Sequence, residues 1–217
     1  GNRSSSSRRR LTVDETYALD CENFYVSCER VFDPALRDVP VGVLSNNDGC
    51  IIARSEELKR EGVPMGAPYF KWEDELDEMG AAVLSSNYAL YGDMSRRVAS
   101  ILESEALEVE RYSIDEAFLT LPDLSRENLQ RLGDQLRRRV KRWLGLPIRV
   151  AIGPTKTLAK VADENAKARK RAGMGKSVYR MVVAESYSAA LDRIRWIVRV
   201  TAGLRPVRVP RRVTPVD

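Results

Sequence analysis

Apolar residues along this 217-residue chain follow two rhythms. One is the short, nearly continuous apolar run bounded by turn residues, and the other is the three-to-four spacing of an amphipathic helix. The runs Tyr17–Asp20, Val39–Leu44, Cys50–Ala53, Ala81–Leu84, Val109–Ile114, Ala117–Leu121 and Pro147–Ile152 predict strands. Helical spacing predicts one long helix from about Tyr88 to Glu105. A second is predicted over Ser125–Leu144, where Leu129, Leu132, Leu136, Val140 and Trp143 share a face and Gly145 ends the element. Its Arg137-Arg138-Arg139 run reads as a solvated face. Shorter helices are expected from Phe24, over Glu56–Glu61 behind the N-cap Ser55, and after Gly153-Pro154-Thr155, where Lys156 and Lys160 ride on the helix. Past Gly175 the pattern weakens: Gly175–Arg180 admits one more strand, Ala184–Val200 admits a helix, and Leu204–Asp217 has no usable period. Strand, long helix, hairpin, long helix, strand is the order of an α+β fold, a split β-α-β layer with its helices on one face.

Composition narrows the chemistry. The chain is 43% hydrophobic and 31% charged, has no apolar run long enough to span a bilayer, and opens on a Ser- and Arg-rich stretch without the apolar segment of a secretory signal. It contains no histidine, which rules out Ser-His-Asp and Cys-His catalysis and every histidine-built zinc site. Cys21, Cys28 and Cys50 are odd in number and form no CxxC pair, so a reducing cytoplasm is expected. The net charge of +5 conceals a split. Residues 1–10 carry four Arg and no acid, residues 164–217 carry thirteen Lys or Arg against four acids, and the body between them holds 19 basic and 27 acidic residues. An acidic body holds a phosphate backbone poorly by bulk charge, so contact with nucleic acid falls to the basic ends or to a local site.

The candidate chemistry centres on Ser113-Ile114-Asp115-Glu116-Ala117, between the two runs of the expected hairpin. Taken alone, an Asp-Glu pair reads as a polar hairpin tip in solvent. Asp20 changes that reading, because it ends the first strand and the split β-α-β sheet makes that strand a neighbour of the hairpin. Three carboxylates without histidine, with lysines on a later helix, suit two Mg²⁺ ions holding a nucleoside triphosphate. This much does not separate a polymerase from a nucleotide cyclase, and Phe24-Tyr25 reads as core or as ligand contact.

Five blocks carry a resemblance: YALDCENFYVSCE, VPVGVLSNNDGCIIARSEELKREGVPMG, SSNYALYGDMSRRV, YSIDEAF and IGPTKTLAK. In this order and spacing they resemble the Y-family translesion DNA polymerases of the UmuC type, from about Tyr17 to Tyr179. The resemblance implies a template-directed DNA polymerase core for error-prone translesion synthesis, with a ferredoxin-like palm and an inserted fingers domain. It divides the chain into a basic tail (1–15), palm (16–24 and 86–178), fingers (25–85) and an atypical, poorly ordered basic tail (179–217). Asp20, Asp115, Glu116 and the backbone carbonyl of Cys21 would hold the two Mg²⁺ ions. Tyr25 falls at the steric gate with Phe24 beside it, Lys59 and Lys156 at the triphosphate, and Ile51, Ile52 and Ala53 over the templating base. The implied partners are primer-template DNA, dNTP, and UmuD-like and RecA-like proteins of a bacterial cytoplasm. No block matches the family's thumb, little finger or sliding-clamp motif, and Met181–Asp217 matches no block at all. The alternative is a truncated, catalytically weak or inactive UmuC-like remnant acting only as a DNA- or partner-binding module. A cyclase is disfavoured by the fingers-like insert and the lack of a Gly-Gly-Asp-Glu-type hairpin.

Overall fold

A computed structural model describes residues 16–122, 124–171 and 182–183. The larger of two sheets contains β1 (Thr16–Cys21), β5 (Glu108–Arg111), β6 (Glu116–Thr120), β7 (Ile148–Gly153) and β8 (Val182–Val183), in the order β5-β6-β1-β7-β8. The β1–β6, β1–β7 and β5–β6 pairings are antiparallel. With α4 (Tyr88–Glu103) after β1 and α5 (Arg126–Leu144) after the β5–β6 hairpin, this is the expected split β-α-β layer.

Alternation along the strands sorts the two faces. Tyr17, Leu19 and Cys21 of β1, Ala117 and Leu119 of β6, and Ile148, Val150 and Ile152 of β7 are buried with Met94, Val98 and Leu102 of α4 and Leu129, Leu136 and Val140 of α5. The Tyr17 hydroxyl donates to the Leu129 carbonyl, satisfying its one buried polar atom. The opposite face, Ala18, Phe118 and Ala151, is covered by Leu158, Ala159 and Ala162 of α6 (Lys156–Arg171). The expected one-sided layer thus gains a helix on its second face. The covering residues are mostly alanines, so α6 lies close to the strands.

The smaller sheet, ordered β3-β2-β4, joins β2 (Val41–Leu44), β3 (Ile51–Arg54) and β4 (Ala82–Leu84). α1 (Phe24–Phe32) bridges the sheets, because Val41, Val43 and Ala53 share a core with Phe24, Val26 and Cys28. The caps act as their residue types predict. Ser55 accepts from Leu58 N at the start of α2 (Glu56–Arg60), Ser125 accepts from Asn128 N below α5, and Gly145 ends α5 at φ 73°.

Several expectations are corrected. Tyr69–Lys71 forms a 3₁₀ turn and α3 spans Glu73–Glu78, elements the apolar pattern did not announce because Leu76 alone is buried there. Trp143 lies outside the core at 63% exposure with Arg139 over its ring. The arginine run is not simply solvated: Arg137 donates to the Ile148 carbonyl and pairs with Asp134, and Arg139 pairs with Glu105. Val182–Val183, within the stretch expected to be a poorly ordered tail, pairs parallel with β7 through two β-branched residues suited to a strand. The expected tail at 1–15, the strand at 175–180 and the helix at 184–200 lie outside the described residues. No helix among the described residues is long and apolar enough to cross a membrane.

Candidate active site

The site is built at the end of β1. Asp20 lies directly opposite Glu116 of β6 on one side and Arg149 of β7 on the other. Residues facing one another across antiparallel strands share a sheet face, so the three form a charged row on the α6 side. The hairpin turn is tied to β1 by Cys21 N–H donating to the Asp115 carbonyl, 2.9 Å. Ser113 shapes the turn, its hydroxyl donating to Asp115 Oδ1 at 2.6 Å and accepting from Glu116 N at 3.1 Å. The main chain therefore brings Asp20, Asp115 and Glu116 to one place, as the sequence predicted.

The side chains of Asp20 and Glu116 are held by cations. Both Glu116 oxygens accept from Lys160 Nζ, at 2.7 and 2.6 Å. Asp20 Oδ1 lies 3.0 Å from Arg149 Nη2 and Oδ2 lies 2.6 Å from Lys167 Nζ. Arg149 also reaches Glu22 at 3.3 Å and Asp163 at 2.9 Å, and Lys167 reaches Asp163 at 2.9 Å. Asp20, Glu22, Arg149 and Asp163 are all buried. Burial pushes the Asp20 carboxyl up to about 6, against the pull of Arg149 and Lys167. At Asp163 burial acts the same way, but Arg149 and Lys167 outweigh it and the carboxyl falls below its ordinary range. Lys167 is held above its ordinary value because Asp163 and Asp20 outweigh its own desolvation.

A cavity of about 940 Å³ opens beside this row, between the two sheets. Asp20, Cys21, Phe24, Tyr25, Ile52, Ala53, Lys59 and Asp115 line it, together with Arg149 and Lys167. The Tyr25 ring stacks on Tyr91 at 4.2 Å between centroids and meets Tyr88 edge-on, so its position is fixed from behind. Tyr91 is anchored in turn by donating its hydroxyl to Glu29, 2.6 Å. Asn23 takes φ 47°, a left-handed conformation that asparagine tolerates, and its amide donates to Glu56 at 3.0 Å. Lys59 joins this group, donating to Asn23 and pairing with Glu56 at 3.1 Å.

Three expected site residues lie apart from the cavity. Ile51 is fully buried in the core of the smaller sheet with Leu58 and Leu76, since alternation along β3 points it away from Ile52. Lys156 pairs with Glu110 and lies over the Phe118 ring, one end of α6 too far along to reach the cavity. Glu116 belongs to the charged row but does not line the cavity wall. Sequence reasoning missed Arg149, Asp163 and Lys167. A signal existed for two of them: Lys156, Lys160, Asp163 and Lys167 recur at helical spacing as one polar stripe. Arg149, a charge inside the buried run of β7, was the other anomaly available.

The donors offered to a metal are all hard oxygens, the right chemistry for Mg²⁺. Among the described residues no three carboxylate or thiol side chains stand together as a ready cage, and Lys160 occupies Glu116 while Arg149 and Lys167 occupy Asp20. The residues fit a divalent ion through their donor set and register, and such an ion would have to displace ammonium and guanidinium groups. A second cavity of about 610 Å³ between α1 and α5 is lined by Arg30, Arg37 and Lys141. Arg30 and Lys141 already donate there to backbone carbonyls, so these two cations serve the fold.

Residues 19–164 match the family described as IMS, impB/mucB/samB. The chain is similar to protein ImpB of Salmonella typhimurium, 53% identical over 145 residues, covering 66% of this chain and 34% of that one. It is 48% identical over 149 residues to protein UmuC of S. typhimurium strain LT2, covering 68% and 35%. DNA polymerase IV of Caulobacter vibrioides is 31% identical over 160 residues, covering 72% and 39%. The chain thus spans a little over a third of the length of these curated relatives. Its fold matches DinB from Sulfolobus solfataricus, with a TM-score of 0.67 at 22% identity, over 79% of this chain and 48% of that one. It also matches the insertion ternary complex of Dbh DNA polymerase, with a TM-score of 0.68 at 22% identity, over 82% and 50%.

Proposed function

This chain belongs to the impB/mucB/samB family, and from that premise we propose that its cavity is the nucleotidyl-transfer centre of a translesion DNA polymerase. In the reaction a primer 3′-hydroxyl oxygen bonds to the α-phosphorus of a dNTP, the bond from that phosphorus to the β-phosphate oxygen breaks, and pyrophosphate leaves. The observation that carries the reading is the alignment of Asp20 with Glu116, and of Cys21 with Asp115, beside a cavity shared by the two sheets. On this reading residues 16–24 and 86–178 are palm and residues 25–85 are fingers. Asp20, Asp115, Glu116 and the Cys21 carbonyl would hold two Mg²⁺ ions. Such ions, when bound, activate the attacking hydroxyl and stabilise the leaving oxygen.

The protein's own groups do the rest. Tyr25, backed by Tyr91 and Tyr88, is a rigid ring under the sugar that collides with a 2′-hydroxyl. Ile52 and Ala53 give the base an aliphatic wall of low specificity. Lys59 and Lys167 both line the cavity and suit the triphosphate as point charges, the role expected of Lys156 passing to Lys167. Primer-template DNA is the partner this chemistry needs, and UmuD-like and RecA-like proteins remain the partners the family implies. Primer extension with Mg²⁺ at low salt tests the reading. Extension by the chain, abolished by Asp115→Ala with Glu116→Ala, is the expected result. Failure of the folded chain to extend a primer would move the reading to a DNA- or partner-binding module.

A further inference from the structure

Arg149 distributes its three guanidinium nitrogens over three different carboxylates: Nη2 to Asp20 at 3.0 Å, Nη1 to Glu22 at 3.3 Å, and Nε to Asp163 at 2.9 Å. It is 7% exposed, the second residue of a strand whose other residues are apolar or glycine, and directly opposite Asp20 in register. A buried guanidinium is expensive to desolvate, and it persists here because three acids surround it. Lys167 holds the remaining Asp20 oxygen at 2.6 Å. Both oxygens of Asp20 therefore face a cation already. A carboxylate ligates a divalent ion only with a lone pair turned to it, and a guanidinium left on the same carboxylate stands within a few ångströms of that ion.

We propose that Arg149 is a built-in counter-ion of the site, a positioning residue that holds the Asp20 carboxylate in place of a metal and sets how strongly a divalent cation competes for it. The inference rests on the reading of Asp20 as a metal ligand. The geometry gives Arg149 a way to yield without leaving: when it releases Asp20, Glu22 and Asp163 still hold its other two nitrogens. Asp163 is thus the anchor that receives the displaced charge. The buried carboxylates of Asp20, Glu22 and Asp163 face Arg149 and the half-buried Lys167, an excess of one negative charge, to which the more exposed Glu164 adds through its own 2.7 Å pair with Lys167. Neutralising Arg149 makes the cluster more negative and frees an Asp20 oxygen. Neutralising Asp163 leaves the cluster less negative and ties Arg149 and Lys167 more firmly to Asp20. The two changes act on cation binding with opposite signs, whereas a purely structural clamp would loosen the site in both.

The test is Mn²⁺ binding to the whole chain, read by electron paramagnetic resonance without DNA or nucleotide, with folding checked by circular dichroism. Arg149→Gln is expected to bind Mn²⁺ about tenfold more tightly than the unaltered chain. Arg149→Lys, which keeps the charge, is expected to stay within about twofold, and Asp163→Asn to bind several-fold more weakly. Folded Arg149→Gln with equal or weaker affinity would overturn the proposal. If that variant does not fold, Asp163→Asn decides alone, with unchanged or tighter binding counting against the proposal. Binding seen only in Arg149→Gln supports it, and binding in neither chain refutes it together with the metal reading. The reading fails separately if Mn²⁺ binds but Asp115→Ala with Glu116→Ala leaves the affinity unchanged.

Discussion

Gly153 is where the last long strand of the larger sheet hands over to the helix that carries the cations, and Gly153→Ala is the sharpest test of how that joint is built. An ideal Cβ at Gly153 lies 2.6 Å from Ala159 N, 2.8 Å from Leu158 C and 3.0 Å from Leu158 Cβ. The first two are backbone atoms, which cannot rotate aside. Restoring an ordinary 3.4 Å contact requires α6 to back away by about 0.8 Å. Overpacking of this kind costs about 1–3 kcal/mol. For a chain of this size each kcal/mol lowers Tm by about 2–4 °C, so a fall of roughly 2–12 °C is expected. Gly92→Ala is the control. Gly92 lies inside α4 with its nearest neighbour 3.6 Å from a new Cβ, so the same substitution is expected to stabilise by about 0.5–1 kcal/mol. Urea unfolding of both variants, with thermal melts, supplies the comparison. On the proposed polymerase reading, because α6 carries Lys160, Asp163 and Lys167, Gly153→Ala is also expected to lower primer extension at temperatures where it stays folded. A Gly153→Ala protein within about 0.5 kcal/mol of the unaltered chain would refute the claim that strand–helix contact at this point sets the position of α6.

Other outcomes follow from burial and charge. Asp163 has a lowered pKa, so its contribution to stability is complete above the ordinary carboxylate value of 3.8 and is lost as pH falls through the lower folded value. Asp163→Asn should therefore cost about 3 kcal/mol at pH 7, with the penalty fading in unfolding titrations below that range; a penalty independent of pH would contradict this. Burial pushes the Cys28 thiol up to about 12 and raises Cys21 well above its ordinary value, while Cys50 is partly exposed. Iodoacetamide at pH 8 should accordingly label Cys50 first, with the other two modified only on unfolding, and peptide mass spectrometry that finds early Cys21 or Cys28 labelling would count against the packing described.

Local order was legible in the sequence because it is decided over a few residues. The apolar runs located the strands to within two or three residues, Ser55 and Gly145 announced helix ends, the order of elements implied the split β-α-β layer, and the five blocks carried the family. Asp20, Asp115 and Glu116 could be assembled from strand order alone. What the sequence could not supply was the partner of each charge. That Asp20 would face Arg149 as well as Glu116 depends on the register of two strands far apart in the chain. Which lysine of the α6 stripe would reach the cavity depended on how closely the helix approaches the sheet, through Gly153 and its row of alanines. Periodicity fixes which residues share a face, but docking fixes what that face meets. Burial then makes those distant contacts energetically decisive, which is why Lys167 rather than Lys156 lines the cavity.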